Sequence, residues 1–299
     1  MPLYYLNPLV SAIVFAFATL LIKRSLHDGA GATRAVFVTN TTFLVALLPL
    51  WWIYPSDYPT TLLWAPVVAG FTAFLGSVFQ TIALKIGDAS VATPLLGGKV
   101  IFVALFSTLI LGNVLPTSWW LAAILSGLGV FFIGRKPGSK KNSDKLGLTL
   151  LLSLLSVCSF ALMDILIAGW GEIFGFQRFV VVQQVVTFIF TAGLIPFFSA
   201  PLRAMPRKCW SWLLIGSILI VLQFYLLNWT ISKYGDPTAM NIFYSSRGIW
   251  TVLLVWTIGP MLGNRESHHG WAVFAWRTIG AMLLMCAVFL VIFADVIPL

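Results

Sequence analysis

Two stretches carry the charges that matter most. "KIGDASVATPLLGGK" runs from Lys85 to Lys99, and "KYGDPTAMNIFYSSR" runs from Lys233 to Arg247. They have the same length, both open on Lys-x-Gly-Asp, and both end on a cation. Those terminal cations, Lys99 and Arg247, fall inside apolar runs long enough to cross a bilayer. A cation at the centre of a membrane helix costs roughly 2.5–3.5 kcal/mol, so the pair costs on the order of 5–7 kcal/mol. A partner or a wet cavity must offset that cost. Asp164 is the obvious acid, but one acid against two cations leaves a positive charge over. The bland reading is an internal ion pair. The functional reading is a pair of cations that clamp an anion across a cavity. The planar fork of arginine suits a carboxylate or phosphate, and lysine adds a compact point charge.

The neighbouring residues fit a polar pocket. Asn241, Tyr244, Ser245 and Ser246 lead into Arg247, and Asn241, Tyr244 and Gly248 share one helical face. Asn40 on the second run is set against Gln184 on the seventh, and Gln80 on the third against Asn228 on the eighth. The expected substrate-binding set is therefore Lys99, Arg247, Asn241, Tyr244, Ser245, Ser246, Asn40, Gln184, Gln80 and Asn228. Asp164 is the expected place for a proton or a substrate ammonium. Amides and glycines such as Gly97 and Gly98 equally serve as close-packing contacts between helices.

These residues need a membrane scaffold. Of 299 residues, 60% are hydrophobic and 9% charged, with a mean hydropathy of +0.97. A soluble domain carries about 25% charge, so this chain cannot cover a water-facing surface. The net charge of +9 does not point to nucleic acid, because most basic residues sit in short loops between apolar runs. Cys158, Cys209 and Cys286 show no metal spacing, nor do His27, His268 and His269. No nucleophile–base pair, glycine-rich phosphate loop or ATP motif is present. Neither a cofactor nor a metal is expected, and the partners expected are the lipid bilayer and a small-molecule substrate.

Ten apolar runs are long enough to span the hydrocarbon, near 4–22, 35–53, 62–83, 91–112, 117–134, 147–169, 179–200, 209–231, 238–260 and 270–296. No alternating period argues for a barrel. A shift of 148 positions lays Lys85 on Lys233, Gly87 on Gly235, Asp88 on Asp236, Gln80 on Asn228 and Lys99 on Arg247. A shift of 145 lays "SAIVFAFATLLI" (11–22) on "SVCSFALMDILI" (156–167), and a shift of 144 lays Arg34 on Arg178 and Asn40 on Gln184. Both halves end similarly, on "LILGN" (109–113) and "PMLGN" (260–264). The expected fold is an all-α integral membrane protein, with ten transmembrane helices as two inverted five-helix repeats. The repeats are 1–134 and 147–299, joined by a basic polar linker over 135–146. Five is odd, so the second repeat must enter from the opposite side.

Ten helices in two halves, each with Leu-Gly-Asn near the end of its fourth helix, resemble the drug/metabolite transporter superfamily, in particular its EamA-type members. Where family members usually carry Leu-Gly-Glu, this chain has Asn113 and Asn264. The resemblance implies that helices 1–4 and 6–9 surround a central cavity, with helices 5 and 10 outside it. It also implies a substrate role for Lys99 and Arg247. They match the places where triose-phosphate and nucleotide-sugar members hold the substrate phosphate.

The residues and the resemblance together lead to a secondary transporter of a small organic anion, in a bacterial inner membrane and monomeric. An amino-acid or metabolite exporter of the same superfamily is the alternative, with Arg247 on a carboxylate and Asp164 on an ammonium. A flippase for phosphate-bearing lipids needs a lateral opening, and a membrane enzyme needs paired acid/base groups or metal ligands inside the spans. Orientation follows from charge. The loops on the side of the N-terminus hold two Lys or Arg, Arg178 and Lys233, and the opposite loops hold thirteen. The positive-inside rule then puts both termini outside the cytoplasm, against the superfamily's usual arrangement. A reporter active only in the cytoplasm, fused after Leu299, is expected to stay silent. A strong signal would place the termini inside.

Overall fold

The computed structural model describes residues 3–54, 58–86, 98–134, 146–258 and 271–293. The polar linker over 135–145, Asn264, His268, His269, Asp295 and residues 87–97 of the first lysine-led stretch lie outside them. Every described element is a helix. They are α1 (Leu6–His27), α2 (Ala32–Leu47), α3 (Leu50–Ile53), α4 (Trp64–Ile86), α5 (Lys99–Leu111), α6 (Thr117–Gly134), α7 (Leu146–Phe174), α8 (Phe176–Ala192), α9 (Arg207–Tyr234), α10 (Pro237–Ser245), α11 (Arg247–Thr257) and α12 (Trp271–Phe293).

The sequence explains why these segments are helices. They are long apolar runs, and in a bilayer every backbone polar group must be satisfied within the segment. Prolines stand where a helix tolerates them. Pro8, Pro66 and Pro237 lie in the first turns of α1, α4 and α10, and Pro49 sits at the break between α2 and α3. Hydroxyls inside the runs bond back to their own helices: Thr41 to the Phe37 carbonyl at 2.8 Å, Ser77 to Ala73 at 3.0 Å, Thr230 to Leu226 at 2.8 Å.

Six of the described helical segments are long and apolar enough to cross a membrane. A seventh is the bent pair Phe176–Ala192 and Ile195–Ala204, which turns by 50°. The protein is a multi-pass integral membrane protein. Two expected runs differ, among the described residues, from the unbroken spans read from sequence. The run at 238–260 is two helices, α10 and α11, interrupted at Ser246. The described part of the run at 91–112 is α5, which begins only at Lys99. The run at 117–134 is α6, an unbroken helix with the bounds read from sequence. Hydropathy cannot see a break that leaves composition unchanged, and this one falls where Tyr244, Ser245 and Ser246 precede the cation.

Packing partnerships are reciprocal between the halves. The most extensive are α1 with α9, α4 with α7 and α6 with α12; α4 also lies against α8, as α9 does against α2. α5 packs on α7, as α10 and α11 pack on α1. Small residues allow these approaches. Gly280 sits against the Gly129 carbonyl and Ile133 where α12 crosses α6. Gly70 of α4 lies on the Gln183 carbonyl of α8, with the Thr187 hydroxyl donating to the Gly70 carbonyl at 2.9 Å. Lipid tails give helices no hydrophobic reason to associate, so this closeness is what dispersion and hydrogen bonding work on. The outward surface is apolar: Leu109, Ile189, Ile218 and Met282 are all more than half exposed.

The α6–α12 crossing yields a prediction. A Cβ at Gly280 meets backbone atoms, which cannot rotate away. Gly280→Val is expected to cost about 1–3 kcal/mol by overpacking, read as a lower thermal midpoint in detergent. Gly147→Ala, where a Cβ meets nothing within 4 Å, is expected to leave that midpoint almost unchanged.

Candidate functional site

Three helices bring charge together. Lys99 is the first residue of α5, Asp164 lies deep in α7, and Asn241 lies in α10. The Lys99 Nζ is 2.6 Å from Asp164 Oδ2, with the lysine side chain 15% exposed and the aspartate 1%. Asn241 Nδ2 donates to the same Oδ2 at 2.7 Å, and also to the Pro237 carbonyl at 3.0 Å. The other carboxylate oxygen, Asp164 Oδ1, is buried with no hydrogen-bond partner among the described residues. A buried carboxylate holding one cation and one amide on a single oxygen is half satisfied. Its free oxygen can take a further donor.

Arg247 stands differently. It opens α11 directly after the interruption at Ser246. Its guanidinium carbon lies 4.7 Å from the ring centroid of Phe15 and 4.6 Å from that of Tyr244. Those two rings are 5.8 Å apart and meet at 74°, so they wall one corner of the guanidinium and do not sandwich it. No carboxylate pairs with Arg247 among the described residues. Ring faces stabilise a cation by about 0.5–2 kcal/mol, the Tyr244 hydroxyl adds a hydrogen-bonding neighbour, and among the described residues no carboxylate takes its N–H fork. Asp164 thus neutralises one of the two cations, and the positive charge left over resides on Arg247.

The other expected residues divide. Ser245, beside this corner, accepts from Ser126 of α6 at 2.6 Å and donates to the Ile242 carbonyl at 2.6 Å. Ser246 Oγ is buried without a partner. Asn40 and Gln184 form a joint of their own between α2 and α8. Asn40 donates to Thr191 Oγ1 at 3.0 Å, and Gln184 donates to the Asn40 carbonyl at 3.2 Å. Asn228 donates to the Phe224 carbonyl of its own helix at 2.9 Å, while its Oδ1 is buried and unpartnered. Gln80 is half-buried on α4. No hydrogen bond or ion pair joins these four residues to Lys99, Asp164 or Arg247 among the described residues.

Sequence reasoning missed Phe15 and Ser126. Phe15 sits in an apolar run full of phenylalanines, and nothing in the run distinguishes the one that faces a guanidinium. Among the described residues, no group of three or more His, Cys, Asp or Glu side chains is placed to hold a metal ion.

Known proteins bear on this architecture. A solved structure described only as the crystal structure of a protein is similar at a TM-score of 0.76 and 16% identity. The alignment covers 96% of this chain and 96% of that one, which establishes a shared fold and nothing about activity. No curated protein matches the chain. Over residues 3–135, its first half, the chain matches the EamA-like transporter family, as its resemblance to the drug/metabolite transporter superfamily implied.

Proposed function

We propose that this protein is a secondary transporter of a small organic anion, working by alternating access around a central site at Arg247 and the Lys99–Asp164–Asn241 cluster. The observation that carries the reading is the uneven sharing of one buried acid between two cations. Lys99 is paired with a carboxylate at 2.6 Å, and Arg247 has two ring faces and the Tyr244 hydroxyl but no carboxylate among the described residues. A half-buried arginine with no carboxylate of its own is suited to a bidentate carboxylate or phosphate. Phosphorylated anions are within the class. No energy source beyond a solute gradient is needed for exchange.

The rocking units are two inverted five-helix repeats, 1–134 and 147–299, joined through residues 135–146. Reciprocal partnerships support this: α1 with α9 mirrors α7 with α4, and α6 with α12 mirrors itself. Lys99 and Arg247 also hold like positions, each the first residue of a helix. The protein acts as a monomer in a bacterial inner membrane and catalyses no covalent step.

A second reading is favoured by one atom. Asp164 Oδ1 is buried without a donor, and a zwitterionic amino acid brings an ammonium for it and a carboxylate for Arg247.

Uptake into proteoliposomes separates the two. Arg247→Gln is expected to lower uptake of the transported anion by roughly 30-fold or more, equivalent to about 2 kcal/mol or above. Arg247→Lys is expected to lower it too, because the fork is lost. Wild-type rates in Arg247→Gln would sink the anion site. If the substrate is an amino acid, Asp164→Asn is at least as damaging as Arg247→Gln.

Stability reads the ion pair apart from transport. Lys99→Gln leaves a buried carboxylate with Asn241 as its remaining partner, and is expected to cost about 3–5 kcal/mol. The double variant Lys99→Met/Asp164→Leu removes both charges and is expected to recover most of that loss in thermal unfolding. A double variant no more stable than Lys99→Gln would mean that the pair does not carry the cost.

A further inference from the structure

A chain of hydroxyls stands behind the interruption that precedes Arg247. The Ser246 amide bonds three residues back, to the Phe243 carbonyl at 3.2 Å, as in a 3-10 turn. The Ile242 carbonyl, four residues back, accepts the Ser245 hydroxyl at 2.6 Å. A serine that bonds back to its own helix loosens or bends the helix there. Ser245 in turn accepts from the hydroxyl of Ser126 on α6 at 2.6 Å, and both residues are buried. A hydroxyl rotates about its own bond, and an outside donor fixes which way it points. Ser126 therefore holds Ser245 on the Ile242 carbonyl, and α11 starts just beyond, with Arg247.

The same helix meets the residues beside both cations. A Cβ at Gly127, next to Ser126, would lie 3.1 Å from the Ile101 side chain and 4.0 Å from the Cα of Gly98, the residue just before Lys99. A Cβ at Gly248, just after Arg247, would lie 3.1 Å from the Ile133 side chain of α6. α6 thus packs on the starts of α5 and α11, although the superfamily resemblance puts the fifth helix outside the cavity.

We propose that Ser126 is a positioning residue for the central site. Through Ser245 it sets the shape of the break at Ser246. The break in turn sets where the Arg247 guanidinium lies against Phe15 and Tyr244, 4.7 and 4.6 Å from their ring centroids. This role rests on Arg247 as the anion ligand proposed above. A bidentate contact demands a closely aimed fork, and aim of that kind comes from hydrogen bonds behind the residue that makes the contact. Ser126 does not touch the anion; it acts through the helix start that carries the ligand.

The test uses full-length protein in detergent with 4-fluorophenylalanine incorporated, and the ¹⁹F resonance of Phe15 is assigned through Phe15→Leu. Phe15 lies on α1 and takes no part in the hydroxyl chain, so its ring senses the break through what rests on it. Arg247→Gln is expected to move the resonance, and Ser126→Ala to move it in the same direction. Added to Arg247→Gln, Ser126→Ala is expected to move it little further, because the guanidinium it positions has gone. Ser156→Ala is the control. It removes another buried hydroxyl bond between helices, to the Gly76 carbonyl at 2.8 Å, and is expected to leave the resonance in place. A resonance that Ser126→Ala leaves unmoved overturns the assignment. So does an equal movement in Ser156→Ala, or a Ser126→Ala movement just as large in the Arg247→Gln background. An Arg247→Gln resonance that matches wild type overturns it as well, since the guanidinium then does not rest on Phe15. Failure of the central reading looks different: Arg247→Gln takes up the anion normally in proteoliposomes while the Phe15 shifts hold.

Discussion

A single buried carboxylate organises the centre of this protein. Asp164 is 1% exposed and takes Lys99 from α5 and Asn241 from α10 on one oxygen. With Asp164 on α7, the cluster draws on three helices and on both halves of the chain. Removing a carboxylate and an ammonium from water costs several kcal/mol per ion, repaid only by close geometry and added hydrogen bonds. The cluster meets that condition on Oδ2 and leaves Oδ1 open. It therefore joins the halves without filling its own capacity among the described residues.

The second cation is held by a different force. Arg247 rests in an aromatic corner made by Phe15 of α1 and Tyr244 of α10. Quadrupole attraction keeps a guanidinium in place without consuming its N–H groups. Lysine at this position would lose both the planar contact and the fork. The two cations are matched in place but not in partners, and the functional reading depends on that inequality. Away from the centre, Arg34 is hydrogen-bonded to carbonyls and Arg178 lies against the rings of Trp51 and Tyr58.

Close packing makes this arrangement possible. Glycines at 70, 129, 216 and 280 bring backbones or short side chains of neighbouring helices into contact. Hydroxyls are satisfied by their own helices or across them, as where Thr39 meets Ser217 at 2.9 Å. Asn40 and Gln184 belong to this class, joining α2 to α8. In sequence they had the character of pocket residues, since an amide in an apolar run carries the same signal in either role. Only the position of its partner separates the two.

Composition and periodicity alone determined the membrane class, the helical fold and most segment positions, because a bilayer admits few backbone solutions. The repeat offsets also picked out Lys99, Arg247 and the pairing of Asn40 with Gln184, and charge counting made Asp164 the one deep acid to consider. The tertiary structure decided what the sequence left open. It assigned Asp164 to Lys99 and not to Arg247, put Phe15 under the arginine, and broke the ninth apolar run at Ser246. Those outcomes turn on contacts between residues far apart in the chain. Such contacts depend on helix rotation and crossing distance, which hydropathy does not encode.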